Sequence, residues 1–161
     1  MRDKRLDFFK GFLILSVVLG HCLNALCPSE NMLHIVLRTF DLPMFMYISG
    51  YLLKSSISRY PWRQLVLNKV TCIVAPAVVW AIISLLLGDI CIYYFLWAVF
   101  LSSVIVLAWR SFQPNCGWGG LVAIALVLHI VPINIVNLSY LFPFFILGYY
   151  AKVIGYINWP K

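Results

Sequence analysis

The stretch KGFLILSVVLGHCLN, residues Lys10–Asn24, decides the fold. A run this apolar and this long enters a membrane, yet it has a lysine at one end and a histidine near the other. The rest of the chain agrees with the apolar part. Of 161 residues, 63% are hydrophobic and 11% charged, and the mean hydropathy is +0.95. A soluble domain of this size cannot hide so much apolar surface, so the solvent is lipid. A hydrocarbon core about 30 Å thick takes about 20 apolar residues per helical span, so about five or six spans use nearly the whole chain.

Apolar runs and breakers predict spans at roughly 8 to 27, 32 to 53, 68 to 88, 90 to 109, 119 to 136 and 138 to 155. Pro132 and Pro143 interrupt the last two. The expected fold class is therefore all-α, a polytopic membrane helical bundle of about six transmembrane helices forming a single domain over 1–161. The N-terminus MRDKR before an apolar core resembles a signal peptide, but no small-x-small cleavage site follows, and the segment is read as the first span.

The formal charge of +7 would point to nucleic acid in a soluble protein. Here the basic residues lie between apolar runs, where they set orientation, and no nucleic-acid partner is expected. Arg2, Lys4, Arg5 and Lys10 precede the first span; Lys54, Arg59, Arg63 and Lys69 follow the second; Arg110 follows the fourth; Lys152 and Lys161 end the chain. The alternate loops CPSEN, GD and PINIVN hold no lysine or arginine. The positive-inside rule then predicts cytoplasmic termini. The cysteines at 22, 27, 72, 91 and 116 form no CxxC pair; they are read as packing residues, and no metal is expected.

Ionisable groups inside lipid cost a few kcal/mol or more unless paired or watered, which singles out Lys10, His21, Arg38 and Asp41. Lys10 and His21 are eleven residues apart, which returns a helix to within about 20° of its starting face. They share a stripe with Asp7, Ile14 and Val17 or Val18. His21 lies about 9 Å below the outer end of the first span, and Arg38 reaches a similar depth in the second. Asp41 falls one turn below Arg38 and can pair with it. These residues can converge in one pocket, where histidine exchanges a proton near neutral pH and a carboxylate orients its ring. An arginine or lysine there can hold a phosphate or carbonyl oxygen. The alternative is structural: Lys10 as a snorkelling anchor, Arg38 and Asp41 neutralising each other, His21 bonded to a backbone carbonyl. His34 at the outer boundary and His129 in the fifth span each read as a satisfied or interfacial histidine rather than a catalyst.

RLDFFKGFLILSVVLGH followed by FDLPMFMYISGYLL resembles the opening of the membrane-bound acyltransferase 3 family, bacterial O-acyltransferases that modify cell-surface or exported glycans. Its first span carries an Asp, then a basic residue and a Gly, then an aliphatic run ending in Gly-His. Asp7, Lys10, Gly11, Gly20 and His21 match. In the second span Phe40, Asp41, Leu42, Pro43, Phe45, Ser49 and Gly50 match, and YYFLWAVFL and LSYLFPFFILGYYAK are similar to later spans. Lys10 stands where many members have arginine, and Asp41 where many have histidine. The chain is also compact between Pro76 and YYFLWAVFL, and members are usually much longer, with more spans.

The resemblance implies transfer of an acyl group, usually acetyl from acyl-CoA (acetyl-CoA), to a hydroxyl of a glycan or lipid-linked saccharide at the bacterial inner membrane. On that reading His21 accepts or relays the hydroxyl proton, Lys10 binds the cytoplasmic end of the donor substrate, and Asp41 with Arg38 are orienting or oxyanion-side groups. Ser49 and Gly50 are read as a close-packing or helix-adjusting element rather than a nucleophile. The length leaves open a partial member with a missing C-terminal half or partner subunit, an inactive remnant, or a non-catalytic membrane partner. Intramembrane charges leave a small transporter open too.

Overall fold

A computed structural model describes residues 4–26, 32–86, 94–112, 118–130 and 137–153. Among them every regular element is helical: α1 (Lys4–Leu26), α2 (Met32–Ile57), α3 (Trp62–Lys69), a π-helical turn (Val70–Val74), α4 (Ala75–Leu86), α5 (Tyr94–Phe112), α6 (Trp118–Ile130) and α7 (Leu138–Val153). The all-α reading holds. The stretches Trp62–Ile83 and Phe95–Phe112 are long and apolar enough to cross a membrane, while Trp118–Ile130 and Leu138–Ala151 are apolar but shorter. The expected fifth span, 119 to 136, runs past Ile130 outside the described residues.

Where the helices differ from expectation, the reason is local. The third begins at Trp62 rather than 68, because Pro61 supplies an extended entry (φ −63°, ψ 150°). Arg63, Gln64, Asn68 and Lys69 lower the hydropathy of the first turns without breaking them. Pro76 sits one residue into α4. A proline inside a helix has no N–H and crowds the carbonyl four residues back, and here the turn just before it widens to a π turn, closed by Ala75 N–H donating to Val70 O. Pro43 and Pro143 lie inside continuous helices. Asn137, at φ 53°, takes the left-handed conformation that asparagine tolerates and starts α7; its carbonyl accepts from Leu141 N at 3.1 Å.

The chain divides into two compact units, Met1–Phe45 and Met46–Lys161, with the boundary inside α2. In the first, α1 buries Leu13, Ser16 and Gly20, one helical face, and exposes Phe8, Phe12, Leu15 and Leu19. The N-terminal half of α2 is largely exposed up to Phe40, and burial begins at Asp41.

In the second unit α7 is the central element, touching α5 and α6, while α5 also meets α3 and the π turn. Phe142 and Phe145 of α7 are fully buried. The C-terminal half of α2 crosses α7 at two glycines. A Cβ on Gly50 would strike the Phe145 carbonyl, and one on Gly148 would strike the Tyr47 carbonyl. Each glycine thus lies against the backbone of the other helix. Lipid tails are as apolar as leucine, so such close approach, gaining dispersion rather than hydrophobic free energy, is what joins helices in a membrane. The close-packing reading of Gly50 is borne out, and Gly148 is its counterpart. On the helix from Trp62 to Leu86, Leu65 and Ala77 are buried.

Candidate functional site

The first element of the site is the register of α1. Asp7 lies in its first turn, where a carboxylate favours the positive end of the helix dipole. Lys10, three residues on, approaches it with Nζ 3.9 Å from Asp7 Oδ1, both side chains about one-third exposed (37% and 33%). At that exposure the pair contributes little stability, on the order of 0–1 kcal/mol, and its effect is to hold the ammonium beside the helix start. Continuing from Lys10, Val17 is half-buried and Ile14 exposed, so the line through Lys10, Val17 and position 21 runs along the edge of the buried face. Position 21 stands about 16 Å along the axis from Lys10.

The second element is Asp41, 3% exposed, at the point where α2 becomes buried. Its Oδ1 is buried and has no hydrogen-bond partner among the described residues. Leaving a buried acceptor unsatisfied costs about 1–3 kcal/mol, more when it is charged. Pro43 removes a second bond nearby, because it has no N–H to offer the Thr39 carbonyl. The Thr39 hydroxyl is already committed, donating to Ile35 O at 2.8 Å. This turn of α2 therefore holds polar capacity that its own helix does not satisfy.

The side chains of His21 and Arg38 lie outside the described ones; their backbones belong to α1 and α2. The pairing of Arg38 with Asp41, and convergence with His21, thus stand on helical register. His34 also lies outside. His129 is exposed in the last turn of α6. Cys22 and Cys72 are free and exposed, so these two do not serve the packing role expected of them.

The sequence reading passed over Ser102. It is fully buried on α5 and its Oγ has no hydrogen-bond partner among the described residues, whereas the hydroxyl of Ser103 donates to Val99 O at 2.8 Å. Two adjacent serines in an apolar run give no signal of which one the helix satisfies.

A family model described as an acyltransferase domain matches residues 3–157. The nodulation protein NolL of Mesorhizobium japonicum is 29% identical over 194 aligned positions, covering 98% of this chain and 50% of that protein. NolL of Sinorhizobium fredii is 30% identical over 190 positions, covering 95% and 50%. Both alignments are longer than the chain, so these relatives carry inserted residues within the matched region. The chain spans about half the length of these curated relatives. No solved structure matches it. With the family model covering nearly the whole chain, the protein belongs to the acyltransferase 3 family.

Proposed function

We propose that this chain is a multi-pass inner-membrane O-acyltransferase, or the N-terminal half of one, moving an acyl group from a CoA thioester to a hydroxyl of a cell-surface or exported glycan. The acyl group is acetyl on this reading. The observation that carries it is the match to an acyltransferase family over residues 3–157. The chain crosses the membrane six times with both termini cytoplasmic: α1 and α2, of 23 and 26 residues, are longer than the roughly 20 a span requires, and basic residues cluster at alternate ends.

In the reaction the acceptor hydroxyl gives its proton to His21 as its oxygen attacks the thioester carbonyl. The C–S bond then breaks, and the departing thiolate takes the proton back from His21, leaving an ester and a free thiol. Lys10, at the cytoplasmic end of the same helical edge, holds the phosphates of the donor. Asp41 orients the imidazole, and Arg38 faces the oxyanion of the tetrahedral intermediate.

His21→Ala is expected to abolish ester-linked acylation of surface glycans while leaving membrane insertion and protein level unchanged. His21→Gln keeps a hydrogen-bonding group but cannot exchange a proton near neutral pH. Full acylation by the Gln variant would make His21 structural and remove the mechanism. A reporter fused after Arg63 or Lys161 is expected to be cytoplasmic and one near Ser29 external.

A second reading follows from the half-length coverage of the relatives. The chain alone is then a non-catalytic partner or remnant. Absence of acylation even with a separately encoded second half supplied would favour it.

A further inference from the structure

Between Leu42 and Gly88 the chain contains no aspartate or glutamate, yet it carries Lys54, Arg59, Arg63 and Lys69. Lys54 lies in the last turn of α2, Arg59 in the turn that follows and Arg63 in the first turn of α3. Arg59 N–H and Tyr60 N–H both donate to Ser56 O at 3.0 Å, which ends α2, and Pro61 starts α3 at once. Arg59 and Arg63 are exposed. Lys54, Arg59 and Arg63 form no ion pair among the described residues. The neighbouring hydroxyls face their own helices: Ser56 Oγ donates to Leu52 O at 3.0 Å, Ser58 Oγ to Ser55 O at 2.9 Å. Nothing local among the described residues neutralises these three cations.

Aromatic rings accompany them. The Arg63 guanidinium lies 5.8 Å from the Trp62 ring centroid, and Lys54 Nζ lies 5.2 Å from that of Tyr149. Trp62 and Tyr60 are 57% and 47% exposed. Trp62 is also the first residue of the stretch Trp62–Ile83, long and apolar enough to cross a membrane. Indole and phenol rings favour the headgroup level of a bilayer, where guanidinium forks meet phosphate oxygens.

We propose that this turn is a binding surface for anionic phospholipid headgroups, with Arg59 and Arg63 contacting phosphate and Tyr60 and Trp62 seated among the glycerol backbones. The proposal rests on the membrane reading above. The shared chemistry is a phosphate ester, which a soluble nucleotide donor also carries; the apolar rings beside the arginines favour lipid.

The test uses the full chain in nanodiscs of phosphatidylcholine with and without phosphatidylglycerol, with retained lipid counted by native mass spectrometry. Preferential retention of phosphatidylglycerol is expected. Arg59→Gln and Arg63→Gln should each weaken it about fivefold, and the pair together about 25-fold. Arg59→Lys/Arg63→Lys should keep most of it. Equal retention of both lipids, or Gln variants that hold phosphatidylglycerol as the parent does, would overturn the proposal. Displacement of the lipid by coenzyme A would also overturn it, in favour of a donor-phosphate site. Loss of helical content in a Gln variant is controlled by the Lys pair, which must then separate charge from fold. Glycan acylation by the His21 variants is a different measurement, so failure here and failure of the transferase reading are distinguishable.

Discussion

Gly148→Ala probes the tightest contact in the second unit. A Cβ at position 148 would lie 2.6 Å from the Tyr47 carbonyl carbon and 2.9 Å from its Cα, and closer still to the oxygen. Ordinary contact begins at 3.4 Å and the carbonyl oxygen is the nearest atom, so the two backbones must part by more than about 1 Å. The obstacle is main chain, which no rotamer change relieves. A gap of roughly 0.5–1 Å forfeits a quarter to a half of the dispersion between the surfaces it separates, and Phe142 and Phe145 are fully buried on the helix that moves. Overpacking costs about 1–3 kcal/mol, here at the upper end, against a gain of about 1 kcal/mol from replacing a helical glycine by alanine. The net loss is about 2 kcal/mol, roughly a thirtyfold shift in the folded ratio. Gly11→Ala is the control, because nothing lies within 4 Å of its Cβ, and only the favourable propensity remains. The assay is unfolding of the purified chain in mild detergent by titrated dodecyl sulfate, followed by tryptophan fluorescence. Gly148→Ala should unfold earlier than the parent and Gly11→Ala no earlier. Adding Gly50→Ala to Gly148→Ala should cost less than the sum, since the helices have already separated. Identical midpoints for Gly11→Ala and Gly148→Ala would refute the reasoning.

Gly120→Ala meets the Trp109 ring rather than backbone, at 2.7 Å from Cε2, so it should destabilise by about 1 kcal/mol, less than Gly148→Ala, in the same titration. Asp41→Asn replaces a buried carboxyl group whose Oδ1 has no hydrogen-bond partner among the described residues; folded yield should hold or rise while glycan acylation falls, and a fall in both would mark Asp41 as structural. Lys54→Met loses the cation over Tyr149 and should lower stability by about 0.5–2 kcal/mol, measured beside Tyr149→Leu, with which it should be non-additive.

Much of the helical layout was legible because apolar run length and proline or glycine punctuation are local signals. The expected starts at 32 and 138 coincide with Met32 and Leu138 of α2 and α7. The start at Trp62 was not legible, since Arg63, Gln64, Asn68 and Lys69 read as loop by hydropathy though they propagate a helix. Of the site, the register linking Lys10 to position 21 follows from 3.6 residues per turn and needs no tertiary information. Asp41 is buried, which hydropathy alone does not foretell for a carboxylate. Gly50 was readable as a close-packing residue, but its partner Gly148 was not, because a crossing point depends on how two distant helices dock. Ser102 was invisible for the same reason: an apolar run does not say which hydroxyl is left facing the interior.

The π turn ahead of Pro76 sets the phase of the helix that follows it. Leu65 and Ala77 are twelve residues apart, and in an unbroken α-helix twelve steps would leave them about 120° out of line. A π turn takes up one extra residue, so the effective advance is eleven steps, and the two return to within about 20° of each other. Both then belong to one side of the helix, and both are buried. The wide turn acts as a phase corrector that lets α3 and α4 present a single seam. Straightening it with every residue kept would swing Ala77 about 100° off that seam. Deleting one residue from Val70–Val74 would instead remove the wide turn and leave Leu65 and Ala77 in phase on a regular α-helix, because eleven true steps replace eleven effective ones.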